Sequence, residues 1–184
     1  GIVTREPVEL TRASLYPYGF VITNARAIWK IVEEITKQNL RFYAEELGLR
    51  YEEPVGTLDI MDCILHFPDY PNPVHVNIKA SLTTATSTTN DVSKAPGLIH
   101  FYRDNPDALL VLSTIKIEMD GVIMNFDRSI TNPVPWFKSV KYNKRNHNFQ
   151  TNTNSLVGNI YRTNSEFITE LRVKVDNVGH QNTY

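Results

Sequence analysis

"HVNIKAS", residues 75–81, alternates polar and apolar side chains, the two-residue period of a strand with unlike faces. With Val74 in front of it, Val74, Val76 and Ile78 share one face, and His75, Asn77 and Lys79 share the other. A lysine on a half-buried strand needs a partner, because an unpaired buried ammonium is costly. The partner is found upstream. "DIMDCILHF", residues 59–67, reads as a strand and "FPDYPNP", residues 67–73, as a proline-rich turn, so the two strands form a hairpin. Cys63, Leu65 and Phe67 lie on one face of the first strand, and Asp62, Ile64 and His66 on the other. Joining apolar face to apolar face brings Asp62 to the side of Asn77 and Lys79. A register with His66 across from His75 puts Asp62 across from Lys79. Asp59 has the opposite parity unless a bulge intervenes.

Outward from this hairpin, "TNARAIWKIVEEITKQNLRFYAEELG", residues 23–48, reads as a long helix. Thr23 or Asn24 caps its start and Gly48 stands where a C-terminal glycine belongs. Its apolar stripe runs through Ile28, Val32 and Ile35, is interrupted at Asn39, and resumes at Leu40, Tyr43 and Leu47. After the hairpin, "TTATSTTNDVSK" (83–94) reads as a hydroxyl-rich loop and "PGLIHFYRD" (96–104) as a short helix with Pro96 near its start. "ALLVLSTIKIEM" (108–119) and "VIMNFD" (122–127) read as strands around Asp120-Gly121, a strong type I′ turn signal. "SEFITELRVKV" (165–175) fits a last helix or a strand. The sum predicts an α/β or α+β fold: a mixed central β-sheet flanked by helices, in one domain spanning residues 1–184.

The chain of 184 residues is 41% hydrophobic and 21% charged, ordinary globular usage that indicates neither disorder nor a membrane span. Residues 1–20 lack the basic start and apolar run of a signal peptide, and the single cysteine, Cys63, permits no intrachain disulfide. A cytoplasmic setting is the expectation. The net charge of −1 hides an asymmetry. Between Arg128 and Ser165 there is no acid, against six bases: Arg128, Lys138, Lys141, Lys144, Arg145 and Arg162. From Glu33 to Tyr70 there are nine acids and three bases.

An acid, an amide oxygen and a lysine on one side of a hairpin define a chemistry. Carboxylate and amide oxygens both hold a hard cation such as Mg²⁺. A lysine beside them orients or deprotonates a water and stabilises an anionic transition state. The plain alternative is a cross-strand Asp62–Lys79 pair on a solvent face. His66, His75 and Asp62 would make a transition-metal site only if the two histidines faced each other, and no His-Cys or HExxH spacing supports one.

Asp62 on one strand, then "NIK" (77–79) on the next, then a hydroxyl-rich loop and a helix, resembles the core of the PD-(D/E)XK nucleases, and more narrowly the type II restriction endonucleases. The resemblance covers about residues 25–127. It implies Mg²⁺-dependent hydrolysis of DNA phosphodiesters by a homodimer in a prokaryotic cytoplasm, since two-fold symmetry suits cutting both strands of a palindrome. Asp62 would be the principal metal ligand, Asn77 and the backbone carbonyl of Ile78 further ligands, and Lys79 the water-orienting residue. Asp59 is the alternative to Asp62. Most members carry Asp or Glu where this chain has Asn77; a neutral amide favours one metal ion over two. Glu33 or Glu34 on the long helix is a candidate for an extra acid.

Residues 128–165 form the expected DNA-recognition segment. Within "KSVKYNKRNHNFQTNTN" (138–154), Lys138, Lys141, Lys144 and Arg145 suit phosphates, while Asn148, Gln150 and Asn152 suit the N6/N7 edge of adenine. Ser81 and Thr83, at the start of the hydroxyl-rich loop, are further phosphate-contacting candidates. Two other readings of the same residues are a catalytically silent DNA-binding module, with Asn77 marking a decayed site, and a repair or recombination nuclease of the same superfamily.

Overall fold

The computed structural model describes residues 8–9, 28–55, 60–85, 89–120, 123–154 and 156–180. Its elements, in chain order, are β1 (Val8–Glu9), α1 (Trp29–Tyr43), β2 (Arg50–Glu52), β3 (Cys63–His66), β4 (Val74–Leu82), β5 (Asn90–Lys94), α2 (Ala95–Asp104), β6 (Leu109–Asp120), β7 (Ile123–Pro133), β8 (Lys141–Asn143), β9 (Asn148–Thr151) and α3 (Asn164–His180). A mixed sheet in the order β1-β7-β6-β4-β3-β2 lies at the centre, and β5-β9-β8 make a second, smaller sheet. The expected mixed sheet flanked by helices is the architecture found.

The alternation around "HVNIKAS" is what builds it. Val74, Val76, Ile78 and Leu82 of β4 meet Ile28 and Val32 of α1, with Cys63, Leu65, Val111, Ile115 and Ile117, in one core. On the other face Leu110 and Leu112 meet Leu98 and Tyr102 of α2, Phe167 and Leu171 of α3, and Val92 and Phe149 of the small sheet. β4 pairs with β6 in parallel from Val74↔Leu109 to Leu82↔Ile117, with α2 on the crossover, as parallel neighbours require. Cys63 is fully buried between β4 and α1, and burial pushes its thiol up to about 12.

Several boundaries differ from the sequence expectation. The helix proper ends at Tyr43, and Gly48, at φ +67°, closes the following turn as its N–H donates to Glu45 O at 3.0 Å. Asn39 breaks the stripe because its Nδ2 donates back to Ile35 O at 2.9 Å. The capping residues Thr23 and Asn24 lie outside the described residues, as does Gly121. The strand after it runs on to Pro133 rather than ending at residue 127, because β6 offers a long partner edge. The hydroxyl-rich loop is not all loop: residues 90–94 form β5, where Val92 is buried at a register shift against β9. Residues 165–175 belong to a helix, opened by Thr163 and Glu166 in a reciprocal cap. No helix among the described residues is long and apolar enough to cross a membrane.

Candidate active site

The first strand of the hairpin begins at Cys63, so Asp62 stands at the point where β3 stops and β4 continues. The register is Cys63↔Val76, Ile64↔His75 and Leu65↔Val74. This corrects the pairing expected from the histidines. His75 opposes Ile64, and His66 opposes Arg50 of β2. The two registers differ by two residues and keep the same faces, so the apolar pattern alone does not choose between them. The histidines are structural: His66 Nε2 lies 3.0 Å from Glu52 Oε2, and His75 packs edge-on against Phe101 at 5.1 Å. Among the described residues no cluster of three His, Cys, Asp or Glu side chains could hold a metal.

Beyond Val76, the side of β4 that β3 had covered is met by the Asp62 side chain. Asp62 N–H donates to Val76 O at 2.7 Å, and Ile78 N–H then donates to Asp62 Oδ2 at 2.6 Å. A strand residue directs its N–H and C=O to the same side, so the Ile78 carbonyl faces this edge too. Asn77 is buried, and its Nδ2 donates to Ile60 O at 2.6 Å. That contact fixes the amide orientation, since only the NH₂ end can face a carbonyl. Asn77 Oδ1 is then left buried with no hydrogen-bond partner among the described residues, a state that ordinarily costs about 1–3 kcal/mol.

The charges around this edge act on one another. Burial raises the pKa of Asp62, Glu33 adds to the rise, and the Ile78 N–H and Lys79 work against it. Burial lowers the pKa of Lys79, opposed by Asp62, Glu33 and Asp91. Glu33 of α1 is itself 6% exposed and held by Lys30 at 2.5 Å. A long amphipathic helix thus delivers a buried carboxylate to the site, and Glu34, half exposed and also bound to Lys30, is the outward one. The residues fit a hard divalent cation: a half-buried carboxylate, an amide oxygen with no partner among the described residues, and a backbone carbonyl are all oxygen donors. Asp59 lies outside the described residues.

The amide-rich segment is a β8–β9 hairpin tied to β5. Many of its carboxamides are engaged by the fold. Asn143 Oδ1, Asn146 Oδ1 and Asn152 Oδ1 accept backbone N–H groups two residues on, which shapes the turns. Asn146 Nδ2 and Gln150 Nε2 donate to Asp91 at 2.8 and 2.5 Å. Asn148 is half-buried beside them. Lys138, Lys141, Lys144 and Arg145 are exposed and form no ion pair with the described residues. Arg162 is not part of that surface: it donates to Pro135 O at 2.8 Å and to Phe137 O and pairs with Glu170. Arg128 pairs with Asp127 at 3.0 Å.

No family model matches the sequence, and no curated protein matches it. Solved structures do. The NlaIV restriction endonuclease superposes with a TM-score of 0.58 at 11% identity, over 94% of this chain and 74% of that one. The fold is restriction-endonuclease-like. The Holliday junction resolvase Hjc of Archaeoglobus fulgidus also matches, at a TM-score of 0.40 and 9% identity, over 73% of this chain and 97% of that one.

Within this restriction-endonuclease-like fold, the expected order of helix, hairpin, helix and strand is the order α1, β3–β4, α2, β6. The expected residues Asp62, Asn77, Ile78 and Lys79 meet at one edge of β4. Ser81 and Thr83 continue along the same strand end, where Ser81 Oγ accepts from Lys116 at 3.0 Å and Thr83 N–H donates to Ile117 O at 2.8 Å. Two charged neighbours were not singled out by sequence. Asp91 lies in a stretch that reads as loop. Lys116 interrupts the apolar strand "LLVLSTIKIEM", the same anomaly that draws attention to Lys79.

Proposed function

We propose that the chain is a Mg²⁺-dependent endonuclease that hydrolyses phosphodiesters of double-stranded DNA at specific sequences, as type II restriction enzymes do, and that it works as a homodimer. The observation that carries this reading is the bare, buried Asn77 Oδ1 beside a carboxylate docked on the Ile78 N–H. Oxygen left without a proton donor in a protein interior is poised for a cation. Asp62, Asn77 Oδ1 and the Ile78 carbonyl would hold the ion, with Glu33 adding negative charge behind them. When bound, the ion polarises a phosphoryl oxygen and lowers the pKa of water.

The protein's own groups supply the rest. The Ile78 N–H fixes one oxygen of Asp62, leaving the other to turn outward. Lys79, on the same strand face as Asn77, holds the attacking water by its amine and receives a proton from it in the uncharged form. The exposed Lys138, Lys141, Lys144 and Arg145 supply sequence-independent attraction to the DNA backbone, and the β8–β9 hairpin reads bases. A palindromic site cut on both strands is matched by two-fold symmetry.

Incubation of a sequenced plasmid with the protein tests the reading. Discrete fragments in Mg²⁺, lost in EDTA, are expected. Uniform degradation or junction-selective cutting would favour a repair or recombination nuclease, and binding without cutting would favour a silent DNA-binding module.

A further inference from the structure

Lys116 of β6 is 4% exposed, and its ammonium donates to Ser81 Oγ at 3.0 Å, Leu82 O at 3.2 Å and Asn154 Oδ1 at 3.2 Å. All three acceptors are neutral. No carboxylate among the described residues comes within ion-pair distance of it, so among those residues its hydrogen bonds are made without an ion-pair partner. A buried cation in that state is destabilising, and a protein that keeps one has a use for it.

The register says where the charge points. In β4 and β6, Asn77 opposes Leu112, Lys79 opposes Thr114 and Ser81 opposes Lys116. Lys116 in turn opposes Arg128 of β7. Residues directly opposite share a face, and those two apart along a strand share it again. Asn77, Lys79, Thr114 and Lys116 therefore occupy one face of adjacent strands, with Lys116 roughly 7 Å along β6 from the residue opposite Lys79. Between the two lysines Thr114 is 1% exposed, and its Oγ1 has no hydrogen-bond partner among the described residues. Burial holds the Lys116 amine below its ordinary range, Arg128 adds to the effect, and Asp127 works against it. Asp127 is the residue left over where the β6–β7 register shifts, and it is bound to Arg128 at 3.0 Å.

We propose that Lys116 is a phosphate-binding residue: it seats a DNA backbone phosphate adjacent to the one held at Asp62 and Lys79, with Thr114 Oγ1 and Arg128 beside it. This rests on the nuclease reading above. Of its three present partners, Ser81 and Leu82 belong to β4, whereas Asn154 lies in the connection between β9 and α3. Asn154 is the one an arriving phosphate oxygen replaces, exchanging a neutral acceptor for a charge-assisted one. In the free protein Asn154 occupies the position of the missing anion.

The test pairs DNA binding with thermal stability, using full-length protein, Ca²⁺ in place of Mg²⁺ and a short duplex carrying the cleavage site. Lys116→Met is expected to hold or raise Tm, because it removes an uncompensated buried charge, while weakening binding about tenfold and reducing the salt slope by about one ion between about 50 and 200 mM salt. Asn154→Asp supplies an internal anion in place of the phosphate. It keeps Lys116 and its packing, and is expected to raise Tm and weaken binding by a similar factor. If Lys116→Met lowers Tm and leaves affinity and salt slope intact, Lys116 is a structural strut and the proposal fails. If both variants bind as wild type does, it fails as well, with the nuclease reading untouched. If the wild type binds no duplex, the nuclease reading falls and takes this one with it.

Discussion

The open edge of β4 and the β8–β9 hairpin are both rich in polar side chains, yet they use them in opposite ways. In the hairpin, Asn143, Asn146 and Asn152 close turns, and Gln150 and Asn146 hold Asp91. At the edge of β4, Asn77 Oδ1 is buried and bare among the described residues. Polar atoms satisfied inside the protein specify its shape, while a polar atom left bare in its interior calls for a separate explanation. Composition does not distinguish the two; the hydrogen-bond partners do.

The most severe way to break this contrast is at the edge. Lys79→Ala and Asp62→Ala are each expected to lower the cleavage rate by about a thousandfold or more, while DNA affinity in Ca²⁺ changes little for Lys79→Ala. Single-turnover digests measure both. A Lys79→Ala enzyme within about tenfold of wild type would remove lysine from the chemistry. Asp59→Ala is expected to retain most activity, and if it alone loses metal dependence, Asp59 and not Asp62 is the main ligand.

A gentler intervention sharpens the same point. Asn77→Asp puts a charge where the bare oxygen now is. It is expected to tighten the apparent Mg²⁺ affinity by about 10–100-fold, the size of effect seen for groups that tune a metal site. Titration of cleavage against Mg²⁺ reads it directly. An unchanged midpoint would place the cation elsewhere.

In the hairpin the two kinds of amide part company. Asn148→Ala is expected to relax specificity at one base pair by about 1–3 kcal/mol without moving Tm. Gln150→Ala strips Asp91 of a 2.5 Å donor and is expected to lower stability by about 1 kcal/mol, read as a drop in Tm. The recognition sequence is expected to be rich in A·T pairs, and a site made only of G·C pairs would show that the free carboxamides do not read adenine.

The smallest effect concerns stability alone. Burial raises the folded-state pKa of Asp62 above its unfolded value. The folded state then holds that proton more tightly, so its ionisation weakens the metal-free protein as pH rises from the unfolded pKa of about 3.9 through the folded value. Asp62→Asn is expected to raise Tm at neutral pH in EDTA, with the gain fading to nothing below about pH 4. A loss of Tm at neutral pH would mean that the Ile78 N–H contact outweighs burial.

Much of this was legible in the sequence because β4 alternates so cleanly. The shared face of Asp62, Asn77 and Lys79 follows from parity. The pairing register does not, since a slip of two residues leaves every side chain on its face. β5 and β9 were hidden because "NDVSK" and "NFQT" have little intrinsic strand preference; Val92 and Phe149, both buried, hold them by tertiary contact. The sequence does not separate Glu33 from Glu34 as the extra acid, and only the packing of α1 on β4 turns Glu33 inward.

Cys63 gives the site a chemical reporter of its own motion. The sole thiol of the chain directly follows Asp62, is fully buried, and is far too weak an acid to react while it stays so. A maleimide can therefore label the folded protein only during moments when β3 leaves β4 or α1 lifts. The labelling rate counts those openings beside Asp62 itself, with no probe introduced.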